Sequence, residues 1–249
     1  MVDVAKELRK YQTLNKDIDE GQDPDKHSKN LGEEHCKLWN HTSGFGKLEW
    51  NPYNRLTTTI NGVEYIFTPD SITNCYIQSK RRVKGDTLTE SEKVRSFGNE
   101  VASLIKDYED TDYTIGSSLL FPISIDGKSL HWTMNRARGI SYKVHDRIDY
   151  TLECIKRYYD KNDDNPLKKA IERSKEFFDL FSCFKDYAEF FFFDDFIAEE
   201  GNVISFTGDI DFDNPFPNTK EKYIEYIKNT MLYILKRNKR IEDYLSNNK

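Results

Sequence analysis

The sequence predicts an α+β fold, a mainly helical single domain with a small antiparallel sheet. Three observations predict it. Arg55 to Ile60 and Val63 to Phe67 flank Asn61-Gly62, two residues that tolerate the positive φ of a type I′ turn, so the pair reads as a hairpin. Val94, Phe97, Val101, Leu104 and Ile105 recur at the helical period, and similar stripes follow later in the chain. The extended segments are mostly early and the helices dominate later, with no internal repeat and no Pro/Gly-rich linker between them.

Taken in order, residues 1–22 form a polar arm with Leu8 as an anchor, and residues 23–245 form the domain. A division into two packed subdomains near residue 110 is the alternative, and residues 246–249 are a polar tail. Ser28 caps a helix whose face carries Leu31, His35, Leu38 and Trp39. After the hairpin, Thr68-Pro69-Asp70-Ser71 has the chemistry of a helix start, leading through Ile72, Cys75 and Tyr76. One helix is expected from about Leu88 to Tyr108, and a strand over Ser117 to Ser124 before the Asp126-Gly127 turn. Helices follow from Asp146 to Asp160, from Pro166 through Phe181, and from Lys185 to Phe196. Val203 to Phe206 reads as extended, GDIDFDNPFPNT as a loop, and Glu221 to Tyr244 as the last helix.

Composition narrows the function classes. Apolar residues make up only 37% of the 249 residues, but aromatics reach 14%, which supplies the buried area a disordered chain lacks. No apolar run approaches membrane length, and the charged start MVDVAKELRKYQ lacks the apolar stretch of a signal peptide, so a cytoplasmic protein is expected. The formal charge of -6 disfavours a general nucleic-acid binder and leaves a local basic groove open. Cys36, Cys75, Cys154 and Cys183 form no CxxC pair and read as buried or half-buried thiols.

Functional residue types concentrate between His131 and Arg157. Arg136 and Arg138 are the candidates to read negative charge, with Arg157 a third ligand-binding candidate. Asp149, Glu153 and Arg157 form a four-residue ladder on one helix, while Asp146 can cap that helix. In the structural reading these are a cap, a Glu153–Arg157 pair and two loop-pinning arginines. In the functional reading Asp149 and Glu153 hold a divalent ion or activate water while the arginines hold a phosphate, which is phosphodiesterase chemistry. His145 is the third catalytic candidate. Arg138 and His145, six residues apart, resemble the Arg-to-His spacing of HEPN-type ribonucleases, which implies metal-independent RNA cleavage. The intervening Gly139 and β-forming residues argue against the single helix such a pair requires.

The remaining clusters favour structural uses. Glu34-His35 does not complete HExxH. Asp209, Asp211 and Asp213 resemble half of a calcium loop, but Asn214 stands where Gly is needed and Lys220 where a bidentate Glu is needed. The basic stretches 80–84 and 236–240 could contact phosphate, and the second also suits a helix C-terminus.

The pieces DPDKHS and HCKLW, FTPDSI, TMNRARG, DRIDYTLECIKRYY, FFDLF, DYAEFFFFDDFI and KRNKRI occur in order from Asp23 to Ile241. In this the chain resembles an uncharacterised bacterial and phage family classed as a domain of unknown function, a resemblance that implies no reaction. The leading expectation is a protein that binds an anionic ligand or a macromolecular partner, without a cofactor. A phosphodiesterase or nuclease is the enzymatic alternative. A non-catalytic regulatory or scaffold protein is the other, and it would expose a sizeable aromatic patch.

Overall fold

A computed structural model describes residues 3–11, 17–19, 21–41, 46–51, 55–71, 80–130 and 143–248. The sheet forms around the Asn61-Gly62 turn, where both residues hold positive φ (52° and 83°) and Ile60 faces Val63. Strands β1 (Glu49–Asn51), β2 (Arg55–Ile60), β3 (Val63–Ser71), β4 (Ser118–Ile125) and β5 (Lys128–Ser129) lie in chain order and pair antiparallel throughout. The Asp126-Gly127 turn closes β4 on β5 with positive φ at both residues as well (49° and 73°).

Helix α1 (Val4–Leu8), α2 (Pro24–His27) and α3 (Lys29–His41) precede the sheet. Helices α4 (Glu90–Ser96) and α5 (Asn99–Glu109) are inserted between β3 and β4. Helices α6 (Ile148–Tyr159), α7 (Lys168–Arg173), α8 (Lys175–Phe178), α9 (Phe184–Phe190) and α10 (Lys220–Asn247) follow it. The whole is one mainly helical α+β domain. The β3–β4 pairing carries the sheet across residue 110, and Leu8 of α1, inside the expected polar arm, is fully buried. Ser28 caps α3 as expected, its Oγ accepting from the Leu31 amide, and Leu31, His35, Leu38 and Trp39 are all buried.

Four segments differ from expectation. Thr68-Pro69-Asp70-Ser71 is the end of β3, not a helix start. Pro69 pairs with Leu120 beyond Phe67, the last β3 residue in register with β2, where its missing amide leaves no ladder bond open on that side. Ile72, Cys75 and Tyr76 lie outside the described residues. The helix expected over 88–108 is two helices, because Gly98 takes φ 85° and breaks the ladder between Phe97 and Asn99. Ser174 divides α7 from α8. Finally, α9 stops at Phe190, and Phe192 turns at φ 59° so that Phe191, Phe193 and Phe196 all point into the core.

That turn explains the aromatic composition. Phe191 packs against Tyr187 at 4.8 Å and Phe190 at 4.9 Å between ring centroids, and Trp39 meets it edge-on at 5.2 Å. Offset and edge contacts of this kind add to the area the rings remove from water. Among the described residues the exposed large apolar side chain is Leu232, so the described rings are core and half-buried margin and form no aromatic docking patch.

The same core holds a buried cation. Arg237 of α10 lies over the Phe193 ring at 4.1 Å. Its Nε donates to the Phe191 carbonyl (3.1 Å) and its Nη1 to the carbonyls of Gly116 (3.1 Å) and Ser118 (2.6 Å). Burial pushes the guanidinium down to about 9. Asn238 beside it accepts from the Gly116 amide and donates to Thr114 Oγ1, both at 2.8 Å. The basic run 236–240 is thus divided: Arg237 and Asn238 are structural, Arg240 pairs with Asp195 at 2.9 Å, and Lys236 lies over the Tyr233 ring.

Candidate functional site

The site is built on the start of α6. Asp146 does not cap it. Arg147 occupies the cap position with no side-chain cap bond, and the Asp149 carboxylate takes over by accepting from the Tyr150 amide at 3.1 Å. Arg147 then folds back on Asp149, with Nε 3.0 Å from Oδ1 and Nη2 donating to Oδ2 in a bidentate pair. Both side chains are essentially inaccessible to solvent. Arg147 Nη1 also donates to the Pro215 carbonyl (2.8 Å), and the Phe206 amide donates to Asp149 Oδ2 (3.0 Å). The guanidinium lies over the rings of Tyr150 (4.0 Å) and Tyr226 (4.9 Å). One ion pair therefore fastens the turn before α6, the 205–216 loop and α10 together.

Glu153 and Arg157 form their expected pair at 2.7 Å. Arg157 is further engaged by the Asp164 carbonyl (2.6 Å) and carboxylate (3.0 Å) and lies over Phe212. Any metal or anion taken up by Asp149 or Arg157 would have to displace these partners. Arg136 and Arg138 lie outside the described residues, as does His131.

His145 stands in a turn at φ 53°, not on a helix. It is buried, with Nε2 3.6 Å from Glu90 Oε1 at the start of α4, and Arg81 Nη1 lies 3.9 Å from the same oxygen. Burial and the positive charges of Arg81 and Arg147 push the imidazole down to about 3. The loop that carries Arg81 is fixed: Val83 is buried and its amide donates to the Leu88 carbonyl, Arg82 bridges Thr89, and Lys93 grips Asp86 at 2.6 Å. Lys80, Arg82 and Lys84 are exposed on it, and Lys143 nearby in the chain from His145 pairs with Asp213 at 3.2 Å.

Asp211 accepts from the amides of Asp213 and Asn214 and from the Asn214 side chain, which hold its carboxyl below the usual range. Asp209 is exposed beside it. Among the described residues no three His, Cys, Asp or Glu side chains are grouped to hold a metal ion. Of the thiols, Cys36 is half-buried and pushed up to about 11 by burial, and Cys154 is buried and pushed up to about 12. Cys183 is exposed, contrary to expectation, because it precedes α9 in an extended turn; Cys75 lies outside the described residues.

Glu90 is the member of this constellation that sequence reasoning missed, whereas Arg81 is marked there only as part of the basic stretch 80–84. The Thr89/Glu92 capping box gives the position of Glu90 on α4, but nothing local marks it as buried against a turn 55 residues later.

Buried histidines and Asp112 give a test of the electrostatics. His35, whose Nδ1 accepts from Trp39 Nε1 at 3.2 Å, is also pushed down to about 3 by burial, whereas burial raises Asp112 to about 8. For His35 the unfolded chain binds the extra proton below an ordinary value of about 6.5, so its contribution is present above that pH and lost towards 3. Asp112 has the opposite sign: its contribution is full below about 3.9 and lost as pH rises through 8. Urea unfolding of His35→Gln should gain on the wild type as pH falls from about 6.5, and Asp112→Asn should gain as pH rises to 8, each by up to about 1.4 kcal/mol per pH unit.

No helix among the described residues is long and apolar enough to cross a membrane. No curated protein and no solved structure matches the chain. A family model does match, over residues 9–241, and the chain belongs to that family, the family of unknown function DUF6994.

Proposed function

We propose that the chain is a cytoplasmic protein, in a bacterial or phage setting, that binds an anionic ligand where the 80–85 loop meets the turn before α6. In the sequence Arg136 and Arg138 precede that turn by a few residues, and both are proposed to contact the same ligand. The observation that carries this reading is Glu90: one buried carboxylate oxygen within 4 Å of both Arg81 and His145 ties a fixed, cation-bearing loop to His145, six positions after TMNRARG in the sequence. Lys80, Arg82 and Lys84 then add positive potential on a protein that is acidic overall.

Calorimetric titration with inorganic phosphate, a nucleoside triphosphate and a short single-stranded RNA tests it. Arg136→Ala/Arg138→Ala and Arg81→Ala should each weaken the bound anion at least about tenfold, the loss of one charge-assisted contact. Equal affinity in all variants would refute the site. The enzymatic alternative, phosphodiester cleavage, draws on the proximity of a carboxylate and an imidazole, Glu90 Oε1 and His145 Nε2 being 3.6 Å apart. It requires that the RNA be cleaved by the wild type and not by His145→Ala.

A further inference from the structure

A second surface has the opposite charge. Between Phe184 and Gly201 six carboxylates stand against one basic residue, Lys185. Within this stretch α9 and the turn after the 3₁₀ segment Asp194–Phe196 enclose a groove of about 310 Å³. Phe184, Ala188, Ile197 and Ala198 give it an apolar lining, and Lys185, Glu189, Asp194 and Glu199 line its polar side, a net negative set. The turn is held by the Ile197–Val203 bridge, by the Ala198 amide on the Asn202 carbonyl (2.8 Å) and by Gly201 at φ 80°. The groove is therefore preformed.

Its charges are unequally engaged. Glu189 pairs with Lys185 at 3.5 Å and Asp194 lies 3.8 Å from Arg240, while Glu199 and Glu200 are exposed and make no ion pair among the described residues. We infer that this groove docks a basic segment of a protein partner, one that places an aliphatic side chain between α9 and the 194–201 turn and sets Lys or Arg against Glu199 and Glu200. The volume, at the lower end of the roughly 300–1,000 Å³ of ligand sites, suits one or two side chains of such a segment. The charge selects its sign: an acidic segment or a nucleic acid would meet uncompensated carboxylates, and a basic one is steered in.

Fluorescence anisotropy with a dye-labelled peptide of two leucines flanked by arginines and lysines tests this. Two control peptides have serine for the leucines or glutamate for the basic residues. The basic leucine peptide should bind, more weakly as salt rises, and the serine and glutamate peptides at least about tenfold less tightly, the size of one lost anchor. Glu199→Lys/Glu200→Lys changes exposed side chains only and should cost at least about tenfold in affinity, and Ile197→Ser should do the same. The inference is overturned if the basic leucine peptide does not bind, if the serine peptide binds as well, or if charge reversal leaves affinity unchanged.

Discussion

Asp149→Ala is expected to destabilise the fold by about 3–5 kcal/mol, because it strands the Arg147 guanidinium in the interior without its carboxylate. The value is large for one residue because the Phe206 and Tyr150 amides lose their acceptor as well. Urea unfolding of the two variants, with the double variant Arg147→Met/Asp149→Leu as the control, separates the pair from its surroundings. The double variant should recover at least about 1 kcal/mol relative to Asp149→Ala, since replacing both partners by apolar groups leaves no stranded charge. A double variant no better than the single one would mean that the bonds to Pro215 and Phe206, and not the ion pair, hold the 205–216 loop.

Arg237→Met should be nearly as damaging, about 3–4 kcal/mol. Three carbonyls, of Phe191, Gly116 and Ser118, lose their donor, and a buried carbonyl left without one costs about 1–3 kcal/mol, reduced where the segment relaxes. Arg237→Lys keeps the charge but presents one compact ammonium to carbonyls on two separate segments, so it should lie between Met and the wild type. Equal losses for Met and Lys would show that the planar fork, not the charge, is what the site uses. Gly116 gives an independent check: an added Cβ would come within 2.5 Å of Asn238 Cγ, so Gly116→Ala should disturb the same junction.

What was legible in the sequence follows from range. The Asn61-Gly62 and Asp126-Gly127 turns, the Ser28 cap and the Glu153–Arg157 pair depend on neighbours within a few residues, and each is found where the local chemistry puts it. Pro69 misled because a proline at a helix start and one in a strand beyond its pairing with one neighbour satisfy the same local rule, and the deciding partner, Leu120, is 51 positions away. Phe190 to Phe193 defeated periodicity because consecutive rings fit no helix face; the chain resolves this by turning at Phe192. In the site, the sequence marks Asp149 as a catalytic candidate and Arg157 as a ligand-binding one from residue type and spacing alone. Their partners at Arg147, Phe206 and Asp164 come from turns and loops whose course no pattern specifies.

The insertion of α4 and α5 between β3 and β4 also sets an order of assembly. The β2–β3 and β4–β5 hairpins close two-residue turns and can form within microseconds, on the order of 1–10 μs for isolated hairpins. Joining them through β3–β4 closes the whole intervening stretch from Ser71 to Ser118 and bears that loop's entropy before any sheet contact repays it. The sheet is thus expected to zip last at its centre, with the inserted helices already formed, so that the rate at which this chain folds is governed by the middle of its sheet and not by its long C-terminal helix.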